Sequence, residues 1–219
     1  MKKFIILFCL LLLVTGCNKK VENKEEDNSN QVEVIFPEKI DKSKDYVYFN
    51  DYKEYYLSDG SIYKLQIPII NYSGESASNV NLEIKTFINN SIKNNIVNNN
   101  VLSTGNVIKY SYYESDKYFT LIVNYTYMVD SVFGESKDYV YVFNLDSGKL
   151  LNNDEILELS GNDNLDVLLR NKIISEDIEF TIMTIKNNGY SLYFNDREEL
   201  CIIYYEIDNL DNIRKELVL

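Results

Sequence analysis

The chain has 219 residues, 45% hydrophobic and 26% charged, with 8 Gly, 2 Pro, 3 Cys, no His and no Trp, which excludes collagenous, wholly disordered and disulfide-scaffold chains. A chain of this length forms one domain or two small fused ones, and without His it lacks the commonest general base and transition-metal ligand. The net charge is −12, or −14 once Lys2 and Lys3 leave with a cleaved leader, which argues against nucleic acid as a partner and against anionic lipid held by charge.

Lys2 and Lys3 precede an unbroken apolar run of 11 residues, Phe4 to Val14. A bilayer-spanning helix needs about 17–25 residues, so the run fits the core of a signal peptide instead. The following Val14-Thr15-Gly16-Cys17 resembles a bacterial lipobox. That resemblance implies a signal peptide at 1–16 and a diacylglycerol on Cys17, with fatty acids such as palmitate, holding the mature protein on the outer face of the cell membrane. Two buried acyl chains, at about 0.8 kcal/mol per CH₂, anchor stably where one does not. Residues 17–31 are then the lipidated Cys and a tether, since Asn18 to Gln31 has a single apolar residue, Val21. Flexible chain of that length spans roughly 20 Å. Abundant Asn, and Lys far in excess of Arg, suggest AT-rich coding and a low-GC Gram-positive source.

Cysteine usage agrees. Cys9 leaves with the leader and Cys17 carries lipid, so Cys201 is the one thiol left and no intramolecular disulfide can form. Its setting, Leu200-Cys-Ile-Ile-Tyr-Tyr, predicts a small buried residue in a strand.

The globular body is expected over 32–219. Alternation and enrichment in Tyr, Val and Ile predict strands at Tyr46–Asn50, Lys53–Leu57, Ile62–Ile70, Val107–Tyr113, Lys117–Val129, Asp138–Leu145, Ile178–Ile185, Tyr190–Asn195 and Leu200–Ile207. Phe119, Leu121, Val123, Tyr125 and Tyr127 share one face of the fifth, and Tyr63, Leu65, Ile67 and Ile69 one face of the third. Turns are marked by Ser58-Asp59-Gly60, Asp146-Ser147-Gly148 and Asn187-Asn188-Gly189. Val80, Ile84, Phe87, Ile88, Ile92 and Ile96 form a stripe that predicts a long helix over Ser76 to Asn98. Leu165, Leu168, Leu169 and Ile173 predict a shorter one over Asn164 to Ser175. A helical turn starts at Asn152, with Glu155 reaching back to complete a capping box. The fold class is α+β, a mainly antiparallel sheet packed with one long and one shorter helix, in two fused subdomains at about 62–129 and 138–219.

Two stretches carry a family resemblance. The first is Tyr63-Lys-Leu-Gln-Ile-Pro followed by the long helix and paired strands to Val129. The second runs from Tyr141-Val-Phe-Asn-Leu-Asp-Ser-Gly-Lys-Leu-Leu through a helix to Ser191-Leu-Tyr-Phe-Asn and Ile203-Tyr-Tyr-Glu-Ile. In this order they resemble the extracellular sensor of lysozyme-responsive anti-sigma factors of the RsiV type and the non-catalytic part of PdaC-type peptidoglycan deacetylases. The resemblance implies a fold, an extracellular setting and a basic wall hydrolase such as lysozyme, or a cell-wall component, as partner. In those relatives the loop before the second piece carries Gly-Gly-Ala-His. Here it reads Val129-Asp-Ser-Val-Phe-Gly-Glu-Ser-Lys, with one Gly and no His. Asp130, Phe133, Glu135 and Lys137 are the partner-binding candidates in that loop, and no deacetylase catalytic domain is expected with them.

Other constellations read as structural. Asn162-Asp163-Asn164-Leu165-Asp166 alternates oxygen side chains like a calcium loop, but lacks the Gly and distal Glu of an EF-hand; a helix cap explains the same residues. Asp208-Asn-Leu-Asp-Asn reads as a polar turn. The pairs Asp154/Glu155, Glu198/Glu199 and Asp208/Asp211 are the carboxylates a glycosidase would need, and solvated surface acids are the simpler account. No nucleophile elbow, P-loop or paired-cysteine motif occurs. The 19 Tyr include neighbours in strands, so some must face outward, where Tyr suits binding surfaces. The expectation is a membrane-anchored extracytoplasmic lipoprotein acting as a non-enzymatic binding or sensing module, without cofactor or metal. The alternatives are a carboxylate-dependent wall hydrolase and a structural envelope lipoprotein.

Overall fold

A computed structural model describes residues 41–57, 62–97, 101–102, 104–129, 132–208 and 211–219. The fold is α+β with mainly antiparallel sheets. Strand β1 (Val47–Leu57) pairs antiparallel with β2 (Ile62–Ile70), with a register shift between Asp51 and Lys53, so the two short strands expected at 46–57 are one. Helix α1 (Glu75–Asn95) follows. The short strands β3 (Ile96–Val97) and β4 (Val101–Leu102) complete a sheet of order β2-β1-β4-β3.

The second sheet has order β5-β6-β7-β8, from β5 (Thr104–Glu114), β6 (Tyr118–Val129), β7 (Val132–Asn144) and β8 (Lys149–Leu151). Both expected subdomains contribute to it. Its strands carry apolar side chains on both faces, so it separates two cores. On one side Phe119, Leu121, Val123, Tyr125, Tyr141 and Phe143 pack with Val47, Ile67 and Ile69 and with Ala77, Val80, Ile84 and Ile88 of α1. On the other, Tyr118, Ile122 and Val142 meet the C-terminal third of the chain. The period-2 pattern of β6 produces this directly, since odd positions face one core and Tyr118 and Ile122 the other.

That C-terminal third contains α2 (Asn153–Leu159), α3 (Leu165–Lys172), α4 (Ile178–Asn188) and a sheet of order β11-β10-β9, from β9 (Tyr190–Phe194), β10 (Leu200–Asp208) and β11 (Asp211–Val218). The expected capping box is present: Asn152 accepts from the Glu155 N–H while the Glu155 carboxylate accepts from the Asn152 N–H. Asn164 caps α3, accepting from the N–H groups of Asp166 and Val167.

The strand expected at Ile178–Ile185 is helix α4 instead. Its sequence, Ile-Glu-Phe-Thr-Ile-Met-Thr-Ile, places apolar residues on every side and so imitates a strand. Asp177 settles the matter by accepting from the Phe180 N–H at 3.1 Å as the N-cap. The Asn187-Asn188-Gly189 stretch therefore ends a helix, with Gly189 at φ 85°, rather than turning a hairpin. The helix expected over Ser76 to Asn98 ends at Asn95, and Ile96, the last residue of its predicted stripe, pairs with Leu102 in the short β3–β4 ladder. Strands β8 and β11, like β3 and β4, carry no strand signal of their own, and β8 and β11 each pair with a stronger neighbour.

Buried polar groups are matched. Asn81 in α1 accepts from the Ile70 N–H at 2.8 Å and donates to the Ile70 carbonyl at 3.0 Å. Asn71 donates to the carbonyls of Asp41, Lys44 and Asp45 and accepts from the Asp41 N–H, fastening the start of the described chain to the end of β2.

Candidate functional site

Three turns meet at one end of the central sheet. The β5–β6 turn is closed by the Ser115 N–H donating to the Tyr118 carbonyl at 2.9 Å. The β7–β8 turn is joined to it by the Leu145 N–H donating to the Lys117 carbonyl at 2.8 Å. The β9–β10 turn is held by Asn195, whose side-chain oxygen accepts from the N–H groups of Arg197 and Glu199. Lys117 reaches across to Glu198 at 2.8 Å.

Between the first and third turns lies an open cleft lined by Glu114, Ser115, Asp116, Asp196, Arg197 and Glu198. Asp45 lies beside it, accepting from the Tyr112 hydroxyl at 3.2 Å. Glu114 is exposed, but partial desolvation, and then the Asp45 charge, push its carboxyl above its ordinary value. The Lys117 hydrogen bond pulls Glu198 below its own, and Glu198 in turn raises Lys117. The lining holds four carboxylates against Arg197, with Lys117 paired at the rim. Such a surface attracts cations over about a Debye length, ~10 Å at 0.1 M salt.

A second polar centre is structural. Asp138, whose side chain is only 2% exposed, accepts from Asn124 at 2.9 Å, from the Tyr205 hydroxyl at 2.9 Å and from Arg214 Nε at 2.6 Å. Arg214 continues to Glu216 at 2.7 Å, and Glu216 accepts from the Tyr193 hydroxyl. The chain of contacts joins β6 and β7 to β9, β10 and β11. Burial raises Tyr193 and Tyr205 well above the usual phenol value. Cys201 is buried there, its thiol pushed up by burial, as its strand setting implies.

Of the residues singled out in the sequence, Cys17 lies outside the described residues, as do Asp130 and the Ser58-Asp59-Gly60 turn. Phe133 and Glu135 belong to β7, but their side chains lie outside the described set; Lys137 is exposed, its ammonium 4.9 Å from the Tyr139 ring centre. The acidic pairs are dispersed: Glu155 is bound to Lys149 and its cap, Glu198 to Lys117, and Glu199 to Asn195. Asp154 lines an open acidic hollow with Glu158 and Asp163. Asp208 and Asp211 are the last backbone partners of the β10–β11 ladder. Among the described residues no cluster of Cys, Asp and Glu is arranged to hold a metal ion.

Among the described residues most Tyr side chains lie in the two cores or pack against them. Tyr118, Tyr125, Tyr141, Tyr193 and Tyr204 are buried, and Tyr113 stacks on Tyr193 while its neighbour Tyr112 faces solvent. The acidic cleft escaped the sequence reading because its carboxylates come from two turns separated by about 80 residues, as the Lys117–Glu198 pair shows. Its local signal was the concentration of acids in tight turns.

No family model matches the chain. No curated protein matches its sequence either.

Proposed function

We propose that the chain is a membrane-anchored lipoprotein on the outer face of the cell membrane, serving as a non-enzymatic binding or sensing module at the envelope. The observation that carries the location is the leader: two Lys, an 11-residue apolar run and Val14-Thr15-Gly16-Cys17. What supports a cationic partner is the acidic end formed by Glu114, Asp116, Asp196 and Glu198. Complementary charge raises the rate of encounter more than the strength of the final complex. The resemblance to lysozyme-responsive sensors gives that partner a class, a basic wall hydrolase, with Asp130, Phe133, Glu135 and Lys137 as the second contact region.

Calorimetry with a basic lysozyme at low and at 0.15 M salt tests this. Saturable binding that survives salt, and is lost either in Asp116→Asn/Asp196→Asn or in a chain with scrambled 130–137, supports the module and says which surface carries it. Binding that vanishes by 0.15 M salt is charge alone and removes the partner.

A second reading, a wall hydrolase using carboxylates, draws on one observation. Glu114 and Glu198 line the same cleft and their affinities for protons move in opposite directions, the pattern of an acid and its companion base. Clearing of peptidoglycan by the wild type, abolished in Glu114→Gln, would establish it; no clearing dismisses it.

A further inference from the structure

Helices α3 and α4 lie antiparallel, clamped by two ion pairs. Asp166 meets Lys186 at 2.7 Å, and Arg170 grips both carboxylate oxygens of Glu179. The inner sides of the pair are Leu165 and Leu169 on α3 and Ile182 and Ile185 on α4, all buried. At about 100° per residue, Val167 projects opposite Leu165 and Leu169, and Phe180 and Met183 opposite Ile182 and Ile185. These outer residues are apolar and open to solvent: Val167 51%, Phe180 60% and Met183 51% exposed. Ile174, in the connection between the helices, is fully exposed. Four charges along the seam pair with each other, Asp166 with Lys186 and Arg170 with Glu179, while the exposed Lys172, Glu176 and Asp177 flank Ile174 at the end of the helix pair. It is the same all-round apolarity that makes α4 imitate a strand in the sequence.

We infer that this outer face of α3 and α4 rests on the bilayer, seating Val167, Ile174, Phe180 and Met183 among the headgroups and first acyl carbons. The inference rests on the proposed anchor at Cys17. Residues 18–40 separate that anchor from Asp41, and at no more than about 3.6 Å per residue they hold the body within roughly 80 Å of the membrane. A surface so confined is met at high effective concentration, so a few apolar side chains suffice where a free protein would need many. The negative charge of the chain opposes anionic lipid, and the contact is therefore apolar and made with zwitterionic headgroups.

The absence of Trp gives a clean probe. The full lipidated chain carrying Phe180→Trp is reconstituted in phosphatidylcholine vesicles, with Leu82→Trp, on the exposed side of α1, as the control. Flotation reports anchoring separately from docking. The expected result is that both variants float, that Phe180→Trp alone shifts its emission to the blue and is quenched by brominated lipid, and that adding Val167→Asn and Met183→Asn abolishes the quenching without changing flotation or melting temperature. Chains that float with Phe180→Trp no more quenched than Leu82→Trp overturn the docking and leave the anchor standing. Chains that fail to float overturn both. A concentration-dependent blue shift without vesicles assigns the face to a second copy and also overturns the inference.

Discussion

Replacing Asn81 with Ala should loosen α1 from β2 at a cost far beyond that of an ordinary surface change. Asn81 is 4% exposed and Ile70 is fully buried, and the Asn81 amide meets both the N–H and the carbonyl of Ile70. Truncation leaves both backbone groups in the core without these partners. A buried polar group left unpaired costs about 1–3 kcal/mol, so the pair should cost about 3 kcal/mol or more. Against a typical stability of about 5–15 kcal/mol that is a large fraction. For a chain of this size it corresponds to a fall in Tm of about 6–12 °C. Urea unfolding of the full chain should show a lower midpoint at unchanged slope. Asn79→Ala, exposed on the same helix, is the control and should stay within about 0.5 kcal/mol of wild type. If Asn81→Ala shifts the midpoint no more than Asn79→Ala, the two hydrogen bonds do not hold α1 in place.

Gly148 and Gly161 both have positive φ, 69° and 77°, but a Cβ on Gly148 would stand 3.2 Å from Tyr72 Cε1 while one on Gly161 meets nothing within 4 Å. Ala at 161 should cost about 1–2 kcal/mol from the backbone alone, and Ala at 148 measurably more, as chemical denaturation of the two variants will show. Glu198 has its folded pKa lowered, so its stabilisation is complete above the unfolded value near 4.5 and is lost as pH falls through the folded value. Glu198→Gln should therefore flatten the acid limb of a stability–pH profile. Glu114 has its folded pKa raised, so its ionised form costs stability at neutral pH, and Glu114→Gln should stabilise there and lose that advantage as pH falls through the folded value and then the unfolded one. Cys201, buried at 2% exposure, should react with a thiol reagent only through opening of the fold, slowly in buffer and at once in denaturant.

Much of this architecture was legible locally. Phe119, Leu121, Val123 and Tyr125 do share a core face, Val80, Ile84 and Ile88 do form the stripe of α1, and Asn152 and Asn164 do cap helices. In each case the signal lies within a few residues of chain. What escaped depends on distant partners. β11, Asp-Asn-Ile-Arg-Lys-Glu-Leu-Val, has little strand character of its own and is ordered by its ladder to β10. Helix α4 was obscured because Phe180 and Met183 add an outer apolar face to the inner one made by Ile182 and Ile185. The role of Asp138 depends on Arg214 and Tyr205, which are about 70 residues away. The acidic end likewise exists only once the β5–β6 and β9–β10 turns have been brought together by packing of the central and C-terminal sheets.

The proposed anchored module depends first on lipidation of Cys17. Cells expressing the wild-type chain or Cys17→Ala, grown with an alkyne fatty acid, give the most direct measurement: label on the protein, read together with its intact mass. The account predicts label on the wild type at the mass of a chain beginning at Cys17 with acyl groups attached, and an unlabelled Cys17→Ala variant. Equal labelling of both, or a wild-type chain cleaved elsewhere and carrying no lipid, would contradict it.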